Sequence, residues 1–170
     1  VCSDCQAEEH SIEGILPFLE NFNSKVKILP ILVPYMDFER MEEISKDLSF
    51  IIFNYLKENN LKLIEDLQIV ISSDAVHYGD QGWGGKNYAP FGTDYKGLKK
   101  AIKRDIKISR KYLSGKIKKE KLKKFLYTLV EEKNLKEYKI PWCGRFSITF
   151  GTLFLKDLSF HFKKELEGIP

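Results

Sequence analysis

Two long apolar runs, set between segments with helical periodicity, limit what this chain of 170 residues can fold into. The runs are "KVKILPILVP" at 25–34 and "LQIVISS" at 67–73, and both are rich in the β-branched and aliphatic residues typical of strands. The second run is apolar at consecutive positions, which indicates a strand covered on both faces. Strands that alternate with helices predict a layered α/β fold with a parallel sheet.

Helical periodicity accounts for most of the remaining chain. In the first helical segment, 7–22, Pro17 predicts a kink or a confinement of the helix to short pieces. The second predicted helix is 37–60, with Asp37 as its N-cap. The third is 95–115, with Gly115 as its C-cap. The other predicted helices are 116–134 and 146–166, with a connector at 135–145.

The small number of strand-like runs is itself informative. Two strands do not form an independent sheet of this kind, so we expect the chain to be part of a larger domain. The sequence therefore predicts a three-layer α/β/α architecture with a central, mostly parallel sheet that is incomplete at both ends. In this interpretation residues 1–170 form one partial domain.

The number of cysteines and the absence of a long apolar stretch in the sequence indicate the cellular compartment in which the chain would fold. Cys2, Cys5 and Cys143 are an odd number, which argues against a disulfide framework and favours a reducing, cytoplasmic setting. The C-x-x-C spacing of Cys2 and Cys5 is a weak metal or redox signal without a second pair. No run approaches the roughly 20 apolar residues of a membrane span, so we expect no membrane partner.

Positive charge is concentrated in one part of the chain. Residues 96–139 contain 17 Lys and Arg but five Asp and Glu. Nearly all of these cations are Lys, whereas base recognition and bidentate phosphate contacts favour Arg. Solvated helix faces are therefore the preferred interpretation, and a nucleic-acid surface is the less favoured one.

Polar residues follow the second apolar run in "ISSDAVHYG". Ligand crevices of open α/β sheets lie beyond strand ends, where Asp74 and His77 are expected. His77 could bind a metal or transfer a proton, and Asp74 could orient it, act as a base or contact a cation. The alternative is a helix N-cap at Asp74 beside a structural His77. The loop 74–94 that begins here has five of the eleven glycines, as well as Trp83, and long loops of this kind are more often functional than decorative.

Two other residues are candidates for the same chemistry. His10 lies at the start of the first predicted helix, where a solvated role is the alternative. Cys143 precedes the last predicted helix, next to Arg145, and a helix N-terminus and a nearby cation both favour a thiolate. The alternative is a buried, inert thiol. Together with Asp74 and His77, these residues supply the mixed N, O and S donors that bind borderline transition metals.

Four short motifs occur in an order that resembles the Memo-like family, also called the AmmeMemoRadiSam system protein B family. They are "EEHSIEGILPFL", "ILPILV", "ISSDAVHYG" and "WCGRF" before an apolar helix, and they extend across nearly the whole chain. The resemblance implies a single α/β/α domain, related in fold to the class III extradiol (LigB-like) dioxygenases.

The same resemblance implies a pocket with one metal ion, iron or copper. Cys143 corresponds to a family metal ligand, Asp74 and His77 correspond to residues that line the pocket, and His10 lies near it. His77 is thus a candidate for both metal binding and catalysis, with Asp74 and His10 as further candidate catalytic residues. Two more histidine ligands belong to motifs of the "PHAGY" and "PSHH" kind, which this sequence lacks, so we expect those ligands outside the chain.

Two functions remain open at the level of sequence. One is a metal-dependent oxidoreductase related to the dioxygenases, and the other is a non-catalytic module that binds a small molecule or peptide in the same pocket. The sequence does not define the oligomeric state.

Overall fold

The computed structural model describes residues 10–74 and 76–169. The predicted C-x-x-C pair, Cys2 and Cys5, lies outside the described residues, and so does the start of the first predicted helical segment. None of the helices within the described residues is long and apolar enough to cross a membrane.

Helices make up most of the regular structure. In the part of the chain that the structure describes, two short helices come first, and the four longer ones that follow form the body of the fold. In chain order they are α1 His10–Glu13, α2 Leu16–Phe22, α3 Phe38–Glu58, α4 Tyr95–Leu113, α5 Lys119–Leu129 and α6 Arg145–His161.

The strands form two small antiparallel sheets. Strand β1, Gly115–Lys116, pairs with β4, Glu167–Gly168. Strand β2, Val130–Glu131, pairs with β3, Asn134–Tyr138, so that Val130 lies opposite Tyr138. The fold is therefore a mixture of helix and strand, as the α/β prediction requires, but both sheets are antiparallel.

Local sequence signals located the helices well. Pro17 lies in the first turn of α2, so the first segment is divided into two pieces as predicted. Asp37 caps α3, because its Oδ1 accepts a hydrogen bond from the Arg40 amide at 2.7 Å. At the end of α4, Ser114 is the C-cap and Gly115 follows with φ of 65°, the left-handed conformation that glycine adopts readily.

The segment 116–134 differs from the prediction of one continuous helix. Helix α5 begins at Lys119 and ends at Leu129, and the chain then turns back through the β2–β3 hairpin. Part of the predicted connector 135–145 is therefore strand. The apolar face of α5 explains its position, because Leu122, Phe125 and Leu129 are fully buried.

The two runs predicted as strands have no ladder in the structure. No strand is assigned within 25–34 or 67–73 of the described chain, and several of their apolar side chains are exposed. A strand requires a neighbour that satisfies its amides and carbonyls. Among the described residues, Leu67 forms only an isolated bridge with Leu63, and no strand pairs with either run. The three-layer parallel sheet is therefore not present among the described residues.

The core lies where α3, α5 and α6 meet, and α3 packs along α6. Met41, Phe125 and Leu153 are representative, each with no solvent exposure. A polar contact also crosses this interface, because the buried Ser45 hydroxyl donates to Asp157 Oδ2 at 2.7 Å. The α3–α6 pair thus provides a rigid base for the residues at the start of α6.

Two lysines of the positively charged segment 96–139 form ion pairs with glutamates of α3. Lys119 donates to Glu42 Oε1 at 2.6 Å, and Lys123 donates to Glu39. The hydrogen bond from Lys119 is the main reason why the pKa of Glu42 is below its usual value, with Lys46 adding to the effect and burial opposing it. These lysines therefore have intramolecular partners, as expected of helix faces.

Candidate functional site

The chain after the second apolar run is joined to the chain that precedes α6. Val76 and Trp142 form an antiparallel bridge. The main-chain amide of His77 donates to the carbonyl oxygen of Pro141 at 2.9 Å. These contacts place His77 beside the segment that carries Cys143, although the two residues are far apart in sequence.

Three predicted site residues meet at this junction. One ligand atom each from Asp74, His77 and Cys143 lies within 4.8 Å of the other two, and all three residues are exposed. His77 Nε2 is 3.4 Å from Asp74 Oδ2. Within residues 10–74 and 76–169, no other group of three or more such donors comes this close. The structure therefore brings these three candidates together.

The start of α6 fixes Cys143 against the Asp74 segment. Cys143 immediately precedes Gly144, the N-cap of α6. Gly144 packs so closely on Ser73 that a Cβ at position 144 would overlap with the Ser73 side chain. In addition, the Ser147 hydroxyl donates to the Ser72 carbonyl at 3.2 Å. Glycine is therefore required at position 144 for close approach, although its φ of −78° suits any residue.

His10 lies near this site but outside the group of ligand atoms. It begins α1 and is exposed. The hydroxyl of Ser72 donates to the carbonyl of Ser11 at 2.9 Å, which holds α1 beside the chain that leads to Asp74. The structure thus places the His10 segment next to the site, and a catalytic role for His10 stays a prediction.

Arg145 is more deeply embedded than a flanking cation. It is 3% exposed, and its guanidinium lies 3.9 Å from the ring centre of Tyr138 and 4.6 Å from that of Phe146. Its Nη1 donates to the carbonyls of Trp142 and Cys143 at 3.4 and 3.3 Å. Arg145 therefore supports the peptide of Cys143, a role that its adjacency in sequence did not reveal.

Trp83 is a second supporting residue that the sequence analysis placed in the loop without a role. Its indole meets the imidazole of His77 edge to face, with ring centres 5.7 Å apart. The sequence carries one signal for this role, the glycines at 82, 84 and 85 that flank Trp83, and in the structure all three have positive φ. A large aromatic residue between left-handed glycines indicates a loop built to place that side chain.

The chemistry of the three donors is compatible with a metal ion. Imidazole nitrogen, thiolate sulfur and carboxylate oxygen are all transition-metal ligands. Donors that share one metal at 2.0–2.3 Å in tetrahedral geometry lie about 3.3–3.8 Å apart, so these ligand atoms, all within 4.8 Å of one another, would share an ion after their side chains move closer together. Asp74 and His77 can also exchange a proton or orient each other.

Comparisons with known proteins agree on one family. A model of the family described as Memo-like protein matches residues 3–166. The chain is also similar to the MEMO1 family protein TK1477 of Thermococcus kodakarensis, with 36% identity over 110 residues. This alignment covers 62% of the chain and 34% of the relative, so the chain spans about a third of the length of that curated relative. No solved structure gives a significant match.

Proposed function

The chain belongs to the Memo-like family, and on that premise we propose that Asp74, His77 and Cys143 contribute to a pocket for one transition-metal ion. The convergence of the three ligand atoms within 4.8 Å is the observation that carries this proposal. Iron and copper are the proposed ions, because thiolate and imidazole donors suit both. The remaining ligands, two histidines, are expected from the longer protein.

Each of the three residues has a distinct part in this proposal. Cys143 and His77 hold the ion, and the carboxylate of Asp74, 3.4 Å from His77 Nε2, orients the imidazole and can accept a proton. When bound, iron or copper would supply one-electron redox chemistry at this site. The proposed activity is therefore that of a metal-dependent oxidoreductase, in keeping with the expected relation to the class III dioxygenases.

The solvent exposure of Asp74, His77 and Cys143 determines which kinds of ligand can reach them. The side chains of His77 and Asp74 are 42% and 67% exposed, so a small molecule or a peptide can reach them. An open site also suits the alternative, a module that binds such a ligand without turnover, because catalytic redox sites are usually closed to water. The two functions differ in whether the metal-loaded protein reduces oxygen.

Metal analysis of the full-length protein is the first test. We expect one equivalent of iron or copper in the wild-type protein and substantially less in Cys143→Ser. A variant that combines Cys2→Ser with Cys5→Ser is the matched control, since it removes two thiols but leaves Cys143. Equal metal content in wild type and Cys143→Ser would contradict the role of Cys143.

Oxygen consumption separates the two functions. Protein loaded with iron or copper under anaerobic conditions is mixed with air-saturated buffer and ascorbate as electron donor. Consumption above that of Cys143→Ser and of free metal supports the oxidoreductase. Bound metal without such consumption favours the binding module.

The predicted parallel sheet belongs to the same proposal. Leu29 and Val70, one from each apolar run, are 73% and 55% exposed, as expected of strand residues that face a neighbour not included in this chain. In the whole protein we expect 25–34 and 67–73 to join a central, mostly parallel sheet. Hydrogen exchange would detect this, since ladder amides in these runs would be protected in the full-length protein. Rapid exchange there would contradict the three-layer architecture.

A further inference from the structure

The main chain of His77 is better restrained than its side chain. Its amide is bonded to Pro141, but its imidazole is 42% exposed. The nearby Asp74 carboxylate is itself 67% exposed, and exposed ion pairs of this kind contribute little. A ligand histidine needs a fixed ring orientation. Another contact must therefore hold the ring if the site is to bind a ligand tightly.

Trp83 provides that contact. Its ring meets the His77 ring at an interplanar angle of 64°, close to the edge-to-face geometry that aromatic pairs prefer. Behind it, Trp83 Nε1 packs on Gly79, where an added Cβ would lie 3.4 Å away. Tyr88 meets the indole at 85°, with ring centres 5.4 Å apart. The indole is thus held between His77 and Tyr88.

The loop that carries Trp83 is itself tied down. The Tyr88 amide donates to the Gly79 carbonyl at 2.9 Å, which closes the loop at its base. Lys86 donates to Glu137 on β3. The left-handed φ values of Gly84 and Gly85, 63° and 86°, turn the chain back toward Tyr88. The position of Trp83 therefore follows from the backbone of its loop.

The aromatic contacts continue to the other side of the site. We call Trp83, Tyr88 and Tyr138 the aromatic cluster. Tyr88 and Tyr138 meet with ring centres 6.1 Å apart, and the guanidinium of Arg145 lies over Tyr138. Arg145 in turn donates to the Cys143 carbonyl. The aromatic cluster thus links the ring of His77 to the peptide of Cys143 by a route that does not pass through either ligand atom.

We propose that Trp83 is a positioning residue that fixes the imidazole of His77 relative to Cys143, through the aromatic cluster. This inference rests on the proposed metal site and assigns the support that the site requires. It also identifies the glycine-rich loop as a structural part of the site, in addition to any contact that it makes with a substrate.

The first test uses the metal-free full-length protein with ¹⁵N-labelled histidine. We expect Trp83→Ala to remove the ring-current shift from the His77 ring signals and to make the ring mobile, as seen in its relaxation rates. Trp83→Phe should keep the ring ordered. Trp83→Leu keeps the apolar volume without a ring and serves if the alanine variant does not fold. The control is Tyr55→Ala, an exposed aromatic residue on α3.

The second test is a titration with Co²⁺, followed by its visible absorption. We expect Trp83→Ala to weaken Co²⁺ binding about tenfold, the size of effect seen when outer supports of a metal ligand are removed, and Trp83→Phe to restore most of it. The thiolate-to-cobalt band should remain in both variants, because Cys143 is intact. Thermal melts of all variants report separately on folding.

The outcomes distinguish this inference from the proposed function. If His77 responds to Trp83→Ala no more than to Tyr55→Ala, the positioning role is wrong whether or not metal binds. If wild type and Trp83→Ala bind Co²⁺ equally tightly, positioning for ligand binding is also wrong. If the His77 ring loses order in Trp83→Ala but no variant binds Co²⁺, the positioning of His77 is upheld and the metal site is what fails.

Discussion

Gly144 and Ser73 are packed so closely that position 144 has no space for a Cβ atom. This contact joins the N-cap of α6 to the chain just before Asp74. The separation of Cys143 from Asp74 and His77 is therefore set by a glycine that has no chemistry of its own.

Gly144→Ala should separate the two sides of the site. Because the new methyl overlaps with the Ser73 side chain, backbone must move, and we expect a loss of about 1–3 kcal/mol in the free energy of unfolding. Urea denaturation measures this loss, and metal content should fall as well. Gly14→Ala is a control, since its Cβ would meet its nearest atom at 3.7 Å. Adding Ser73→Gly should recover part of the loss, and a purely additive double variant would contradict the steric explanation.

Ser45→Ala should destabilise the α3–α6 interface more than Ser49→Ala. Both serines are fully buried on α3, but the Ser45 hydroxyl donates to the Asp157 carboxylate at 2.7 Å, whereas the Ser49 hydroxyl donates to the Lys46 carbonyl of its own helix and has a longer contact, 3.4 Å, with His161 Nε2 of α6. Loss of a bond to a buried charge costs about 1.5–3 kcal/mol, compared with about 1 kcal/mol for a neutral bond. Thermal and urea unfolding of both variants would test this difference. Equal loss in the free energy of unfolding for the two variants would show that the hydrogen bond to Asp157 stabilises the fold no more than a neutral hydrogen bond does.

Glu42→Gln should reduce stability in a way that depends on pH. Lys119 lowers the pKa of Glu42 in the folded state, so the stabilisation is present above the unfolded-state pKa and is lost as the pH falls through the folded-state pKa. At pH 7 we expect a loss of about 0.5–1 kcal/mol, and the difference from wild type should disappear in acid, once Glu42 is protonated. Glu43→Gln is the matched control, because the Glu43–Arg40 pair is exposed on both sides. A difference that persists in acid would contradict an ionic origin.

Arg145→Lys should weaken the support of the Cys143 peptide. Lysine keeps the charge but loses the planar group that lies over Tyr138 and donates to the Cys143 carbonyl, at a loss of about 1–2 kcal/mol. Unfolding measurements should show this loss, together with weaker Co²⁺ binding. Arg110→Lys, at an exposed position on α4, should stay within about 0.5 kcal/mol of wild type. Unchanged stability and Co²⁺ binding in Arg145→Lys would argue against the supporting role.

Short-range signals explain which parts of the fold could be predicted. Asp37 and Pro17 act on the residues next to them, and the structure confirms both, whereas the C-cap predicted at Gly115 is Ser114, with Gly115 one residue beyond it. The β2–β3 hairpin escaped prediction because α5 ends without glycine or proline: Val130 still bonds to the Leu126 carbonyl and then begins a strand. A strand also depends on its neighbour, which no local pattern in 25–34 or 67–73 specifies.

At the site, too, the sequence indicated the candidate residues but not the long-range contacts that bring them together. Residue type marked Asp74, His77 and Cys143 as candidates, but spacing could not show that they meet. The Val76–Trp142 bridge that brings them together is a long-range contact. Trp83 and Arg145 were harder still, because their role lies in contacts with rings and carbonyls from other parts of the chain. The glycines around Trp83 indicate a loop built to place it, but no motif identifies the ring that it contacts, and Arg145 has no such signal.

The Val76–Trp142 bridge also has a consequence for the order of events during synthesis. At about 5–20 residues per second, roughly 3–13 s pass between translation of the two partners. During that interval the nascent chain presents Asp74 and His77 without Cys143, so the three ligand atoms cannot yet come together. At the proposed metal site, an ion that requires all three donors would bind only after the start of α6 has left the ribosome and docked, so metal loading would be a late, post-translational step.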